Sequence, residues 1–130
     1  MICPRGPLEP LPGGEPAWND DGRLLSQRFG DTYSGSANTL GESRHVFLDG
    51  IGLDERLGAD SANGSFVLGE LGFGTGKNFL LTWQTFDRLA TAAQRLHYIS
   101  IEAHPLRHDM LARALERHHE LANEERALLD

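Results

Sequence analysis

Cysteine is almost absent. The single Cys3 excludes an intramolecular disulfide and a CxxC metal site, and it fits a reducing compartment. Long apolar runs are missing as well. No stretch has the length of a membrane helix and no signal-peptide core follows Met1, so a cytoplasmic protein with no membrane partner is expected. Positive charge is short, with 12 Lys and Arg against 19 Asp and Glu and a formal charge of −7. A chain that wraps nucleic acid by itself needs clustered cations, so that function is disfavoured, although a local basic patch is not. What remains, 39% hydrophobic and 24% charged in 130 residues, describes one ordinary globular domain at most, or part of one.

Five of the six prolines fall in residues 1–16, which carry no hydrophobic period and read as a flexible leader. From residue 17 the composition changes. Trp18-Asn19-Asp20-Asp21-Gly22-Arg23-Leu24-Leu25 sets an Asp-Gly pair between apolar residues, a hairpin signal. Asp31 to Ser34 then leads into a polar loop. His45-Val46-Phe47-Leu48 fits a short strand or one helical turn, and a loop from Gly50 to Gly64 has room for a helical turn near Leu53 to Arg56.

The chain is organised around Phe66 to Asn78, FVLGELGFGTGKN. A buried strand runs into Gly72-Phe73-Gly74-Thr75-Gly76, and a helix follows. In that arrangement the backbone comes close to a nucleotide-like ligand, because glycine tolerates positive φ and has no Cβ to hold the ligand away. The spacing excludes a P-loop, since Leu71 stands where its first Gly belongs and Asn78 where its Ser or Thr belongs. It also misses the dinucleotide pattern G-x-G-x-x-G, whose third glycine position holds Lys77. G-x-G-x-G with Glu70 just before it looks more like motif I of S-adenosylmethionine-dependent methyltransferases. A glycine loop in a generic α/β domain is the plainer alternative.

Phe79, Trp83, Phe86 and Ala90 recur at helical spacing through Ala93 and read as core. Leu96 to Glu102 alternates as a second strand. Pro105 suits the first turn of a second helix, striped by Leu106, Met110, Leu111, Ala114 and Leu115 to about His119, and the last residues are helical by composition. Strand, helix, strand, helix makes one βαβ unit with its second helix. Two parallel strands cannot bury both faces of a sheet, so either the N-terminal segment extends it or strands follow residue 130. Glu102 ends the second strand, 26 residues after Gly76, where a carboxylate meets ribose hydroxyls in a nucleotide fold. The alternative is an acid stabilised by a helix start. His104 and His108 lie four apart, but with no Cys and no H-E-x-x-H they read as surface residues rather than zinc ligands, and no metal is expected.

Taken together, Asp31-x-Tyr33, Glu42-x-Arg44-x-Val46-Phe47-Leu48, Gly72-Phe73-Gly74-Thr75-Gly76-x-Asn78-Phe79-Leu80, Trp83-Gln84-x-Phe86 and Arg95-Leu96-His97-Tyr98-Ile99-Ser100-x-Glu102-x-x-Pro105-Leu106 carry a resemblance. The chain resembles the methyltransferase domain of the bifunctional tRNA 5-methylaminomethyl-2-thiouridine biosynthesis (MnmC) proteins and their stand-alone relatives, from about Asp31 onward. The resemblance implies a Rossmann-like α/β methyltransferase fold with an N-terminal β-hairpin extension, present here as its N-terminal part over residues 17–130. It implies S-adenosyl-L-methionine as cofactor and tRNA as partner, the acceptor being the aminomethyl nitrogen on carbon 5 of the wobble uridine.

By the same carry-over Gly72, Phe73, Gly74, Thr75 and Asn78 line the methionine and ribose side. Glu70 and Gly76 belong to the same site, Glu102 holds the ribose, and Asp31 and Tyr33 close over the cofactor. Tyr33 as simple core packing is the alternative. Lys77 stands where the family has an apolar residue, and Ile51 stands where it has Asn. The acidic Asp-Gly-Phe segment expected beside the transferred methyl does not occur, so the catalytic residue is expected beyond residue 130 and this chain alone is expected to be inactive. The family's FAD-dependent oxidoreductase domain is likewise not in this sequence. An NAD-dependent oxidoreductase half-domain and a non-catalytic interaction module or degenerate fragment are the competing readings.

Overall fold

The computed structural model describes residues 13–33, 39–58 and 64–130. Two small sheets and five α-helices appear among them. The first sheet is antiparallel, β1 (Pro16–Trp18), β2 (Leu24–Ser26) and β3 (Asp31–Thr32), with Trp18 opposite Leu24 and Ser26 opposite Asp31. The expected hairpin is therefore present. It gains a third strand at Asp31–Thr32, ahead of the expected polar loop, because a turn at 27–30 returns these residues to β2, where the Tyr33 N–H donates to the Leu24 carbonyl at 2.9 Å; residues 34–38 of that loop lie outside the described residues. β1 begins at Pro16, inside the stretch read as leader; residues 1–12 lie outside the described residues. This sheet stands apart from the parallel pair and does not extend it.

Helix α1 (Thr39–Ser43) continues as a π-helical turn over Arg44–Asp49, and α2 (Leu53–Gly58) follows. The ambiguous His45 to Leu48 stretch is thus helical, and Leu48 turns into the core. A π turn carries one extra residue per hydrogen-bonded ring and often marks a functional segment. Here it supplies Val46 and Phe47 to the wall of a recess.

The second sheet pairs β4 (Ser65–Leu71) with β5 (Arg95–Ile101) in parallel, from Ser65 opposite Arg95 to Leu71 opposite Ile101. Helix α3 (Lys77–Leu89) connects them. The strand period of two turns Phe66, Leu68 and Glu70 inward with Leu96, Tyr98 and Ser100. The opposite face is bare and, toward the strand ends, apolar, with Val67 62% and Leu71 86% exposed beside Ile99 and Ile101.

Helix α3 stops at Leu89 rather than Ala93. Ala90 is extended, and the buried Gln94 closes the following loop by accepting the Thr91 N–H at 2.7 Å. Periodicity missed this because Ala90 and Ala93 fit a helix as well as a loop. The next helix also starts later than expected. Pro105 lies in a loop, Arg107 is extended, and α4 spans His108–Leu115 with Asp109 in its first turn beside the Arg107 guanidinium. A 3-10 turn (His119–Leu121) and α5 (Ala122–Leu129) complete the described chain.

The core is built on α3. Leu80 and Leu81 meet Leu48, Leu53 and Leu57 on one side and Leu115 and Leu121 on the other. Phe79, Trp83 and Phe86 are partly buried around that cluster, and Phe79 meets Tyr98 edge-on at 5.0 Å. Each fully buried leucine contributes about 1.5–3 kcal/mol relative to an exposed one. No described helix is long and apolar enough to cross a membrane.

Candidate functional site

Parallel strands of equal length end level, and that alignment builds the site. The Gly72 N–H donates to the Ile101 carbonyl at 2.8 Å, so the glycine turn leaving β4 and Glu102 leaving β5 start side by side. Gly72, Gly74 and Gly76 all adopt positive φ, at 86°, 56° and 74°. A side chain is strained in that region, and at Gly76 a Cβ would also lie 2.8 Å from the Phe73 ring. Gly76→Ala is therefore expected to cost about 1–2 kcal/mol through left-handed strain alone, before Phe73 gives way. A lowered urea midpoint would show it; an unchanged midpoint would mean that the turn relaxes without the glycine.

Glu102 holds the turn from the other strand. Its Oε2 accepts the Gly74 N–H at 3.0 Å and its Oε1 accepts the His104 N–H at 2.8 Å. Burial alone would raise its pKa. The N–H groups of Gly74, His104 and Ala103, with the charge of His104, outweigh burial and hold the carboxyl below its ordinary value. The group stays ionised, and each oxygen keeps a lone pair for a ligand hydroxyl.

Two recesses meet at this turn and share Thr32, Tyr33, Gly72 and Gly74. One, of about 370 Å³, holds Asp31, Glu102 and His104, with Phe29 against the His104 ring at a centroid distance of 4.8 Å. The other, of about 330 Å³, holds Phe73, Thr75, Asn78 and Lys77 with Glu42 and Phe47 of the helical segment. Tyr33 lies between the recesses, its backbone carbonyl against Gly74. Its phenol pKa is raised by burial and by the Glu102 charge, partly offset by a hydrogen bond with Ser26, so it stays neutral. Asp31 lies at the rim, where its carboxylate accepts the Thr32 N–H.

Glu70 and Gly76 stand behind this surface. The Glu70 carboxylate accepts from the Asn78 amide and the Ser100 hydroxyl, both at 2.9 Å, and so ties β4, α3 and β5 together under the turn. Beside it, Tyr98 has its phenol pKa raised by burial and by the Glu70 charge. Glu70 faces a third, apolar groove of about 420 Å³ with Ile51, Val67 and Leu71. Of the residues expected at a cofactor site, Asp31, Tyr33, Gly72, Phe73, Gly74, Thr75, Asn78 and Glu102 line the two joined recesses, and Glu70 and Gly76 do not.

Sequence reasoning placed no role on Phe29, Thr32 or His104. His104 was read as a surface residue at helical spacing from His108. It precedes α4 and is half-buried, with its Nδ1 enclosed. Its position two residues after Glu102 was the available signal. Among the described residues no group of three or more His, Cys, Asp or Glu is arranged to hold a metal.

A parallel βαβ unit with a glycine turn and a carboxylate level at the strand ends is compatible with part of a Rossmann-like domain. No family model matches the chain. Curated relatives do. The chain is 47% identical over 105 residues to the tRNA 5-methylaminomethyl-2-thiouridine biosynthesis bifunctional protein MnmC of Pseudomonas fluorescens, covering 81% of this chain and 16% of that protein. It is 46% identical over 112 residues to the MnmC of Pseudomonas aeruginosa, covering 86% and 17%. With the MnmC of Chromobacterium violaceum the identity is 50% over 95 residues, covering 73% and 14%. The chain is a homologue of a segment of the MnmC proteins, and its family is theirs.

Proposed function

We propose that this chain forms the S-adenosylmethionine-binding part of a methyltransferase acting in tRNA wobble-uridine modification. The observation that carries the reading is the Gly74 N–H donated to Glu102. A pyrophosphate would need the free N–H groups of such a turn, and would meet repulsion from Glu102 and Glu42. The ionised Glu102 offers ribose hydroxyls an acceptor, which either cofactor would use, so the engaged Gly74 N–H is what favours a nucleoside without phosphate. These residues fit S-adenosylmethionine better than NAD.

When bound, that cofactor supplies a methyl group on a sulfonium, which an amine displaces directly. This chain's own residues would position rather than react. Glu102 would hold the ribose, the glycine turn would admit the ligand backbone-close, and Tyr33 and Asp31 would cover it from the N-terminal sheet. The bare apolar face of β4 and β5 supports the reading that residues 17–130 are part of a larger domain whose remaining elements pack there. The relatives are named for tRNA 5-methylaminomethyl-2-thiouridine biosynthesis, which supports tRNA as the substrate; the acceptor we propose is the aminomethyl nitrogen at carbon 5 of the wobble uridine.

The test is methyl transfer by the full-length protein that carries this segment, from labelled S-adenosylmethionine to tRNA bearing 5-aminomethyl-2-thiouridine. Label in that nucleoside is expected. A folded protein that binds the cofactor yet labels no tRNA would contradict the substrate.

A further inference from the structure

Lys77 is poorly placed for an ordinary surface lysine. It is the first residue of α3, where the helix dipole disfavours a cation, and it is half-buried in the wall of the 330 Å³ recess. Among the described residues its ammonium has no hydrogen bond and no ion pair. Burial pushes its pKa down, and Glu42 across the recess pulls it back only in part. His118 offers no relief, since burial, the Lys77 charge and the Arg117 charge push its own pKa down. Such a local conflict is the kind that proteins retain at binding sites, where a ligand resolves it.

The recess offers one cation and one anion. Glu42 is exposed at its edge on α1, outside hydrogen-bond reach of any described partner. A ligand group that satisfies both carries a carboxylate and an ammonium close together, as the end of an α-amino acid does. The adjoining recess is the one that holds Glu102. We propose that Lys77 binds the α-carboxylate and Glu42 the α-ammonium of the amino-acid end of the adenosyl ligand, making Lys77 a specificity-determining residue of this chain. The inference rests on the S-adenosylmethionine reading above and adds to it the end of the ligand that this lysine selects.

The experiment compares two ligands on the full-length protein. S-Adenosylhomocysteine has the amino-acid end; 5′-methylthioadenosine has the same nucleoside and sulfur without it. The protein is expected to prefer the first by about tenfold or more, roughly 1.4 kcal/mol per decade. Lys77→Met should remove most of that preference and leave 5′-methylthioadenosine binding within about twofold, since only the charged contact is lost. Lys77→Arg should retain the preference. Equal weakening of both ligands by Lys77→Met, or an unchanged preference, overturns the proposal while leaving the cofactor reading in place. Binding of neither ligand by the folded protein overturns both.

Discussion

Glu102→Ala is expected to weaken S-adenosylhomocysteine binding by about 1–3 kcal/mol, the range for leaving a hydrogen-bonding group without its partner. That corresponds to roughly fivefold to more than a hundredfold in affinity. Two losses combine. The ribose loses its acceptor, and the Gly74 and His104 N–H groups lose the carboxylate that aims them. Glu102→Gln should retain part of the turn geometry, because an amide oxygen still accepts one of the two bonds, but it removes the charge.

The pH dependence follows from the depressed carboxyl pKa. A group with a lower pKa folded than unfolded contributes stability that is complete above its unfolded value and fades as pH falls through the folded one. The native protein should therefore lose stability and ligand affinity together in acid, and Glu102→Gln should flatten that part of both profiles. Titrations across acid pH, with thermal melts on the same samples, would separate this from general acid unfolding. Parallel acid profiles for the native protein and Glu102→Gln would assign the dependence to other carboxylates.

The second large effect is expected in the core. Leu80→Ala should cost about 2–5 kcal/mol, the range for leucine truncation at a site that cannot collapse. Leu80 is 0% exposed and belongs to the cluster in which α3 joins Leu48, Leu53 and Leu57 to Leu115 and Leu121. Domains are stable by only about 5–15 kcal/mol in total, so this one change should remove a large fraction of the stability. Urea unfolding of the full-length protein would measure it. A cost under about 1 kcal/mol would mean that the two helical layers repack around α3.

The parts of the fold legible in the sequence are those where a local rule and the tertiary structure agree. The strand at Phe66, the glycine turn and the strand ending before Glu102 follow from alternation and from three glycines that the backbone does require at positive φ. The ends of elements were less legible. Helix α3 stops short through a side chain, Gln94, that bonds back to Thr91. Helix α4 starts late because the loop after β5 is held by the Glu102 to His104 bond, a contact that no periodicity encodes. β3 was missed because two residues are too few to show alternation, and what fixes them is pairing with β2.

The site divided along similar lines. Glycines and Glu102 carry their chemistry in residue type and position. Glu70 reads from sequence as a ligand residue, yet its oxygens are engaged by Asn78 and Ser100 beneath the turn. Lys77 reads as a departure from the family pattern, and the use proposed for it rests on the recess it shares with Glu42.

The most direct measurement is a calorimetric titration of the folded, full-length protein with S-adenosylhomocysteine, with NADH titrated in parallel. Saturable binding of S-adenosylhomocysteine without binding of NADH is the expected result. Binding of NADH in its place, or of neither, would contradict the assignment of this glycine turn and its carboxylate to S-adenosylmethionine.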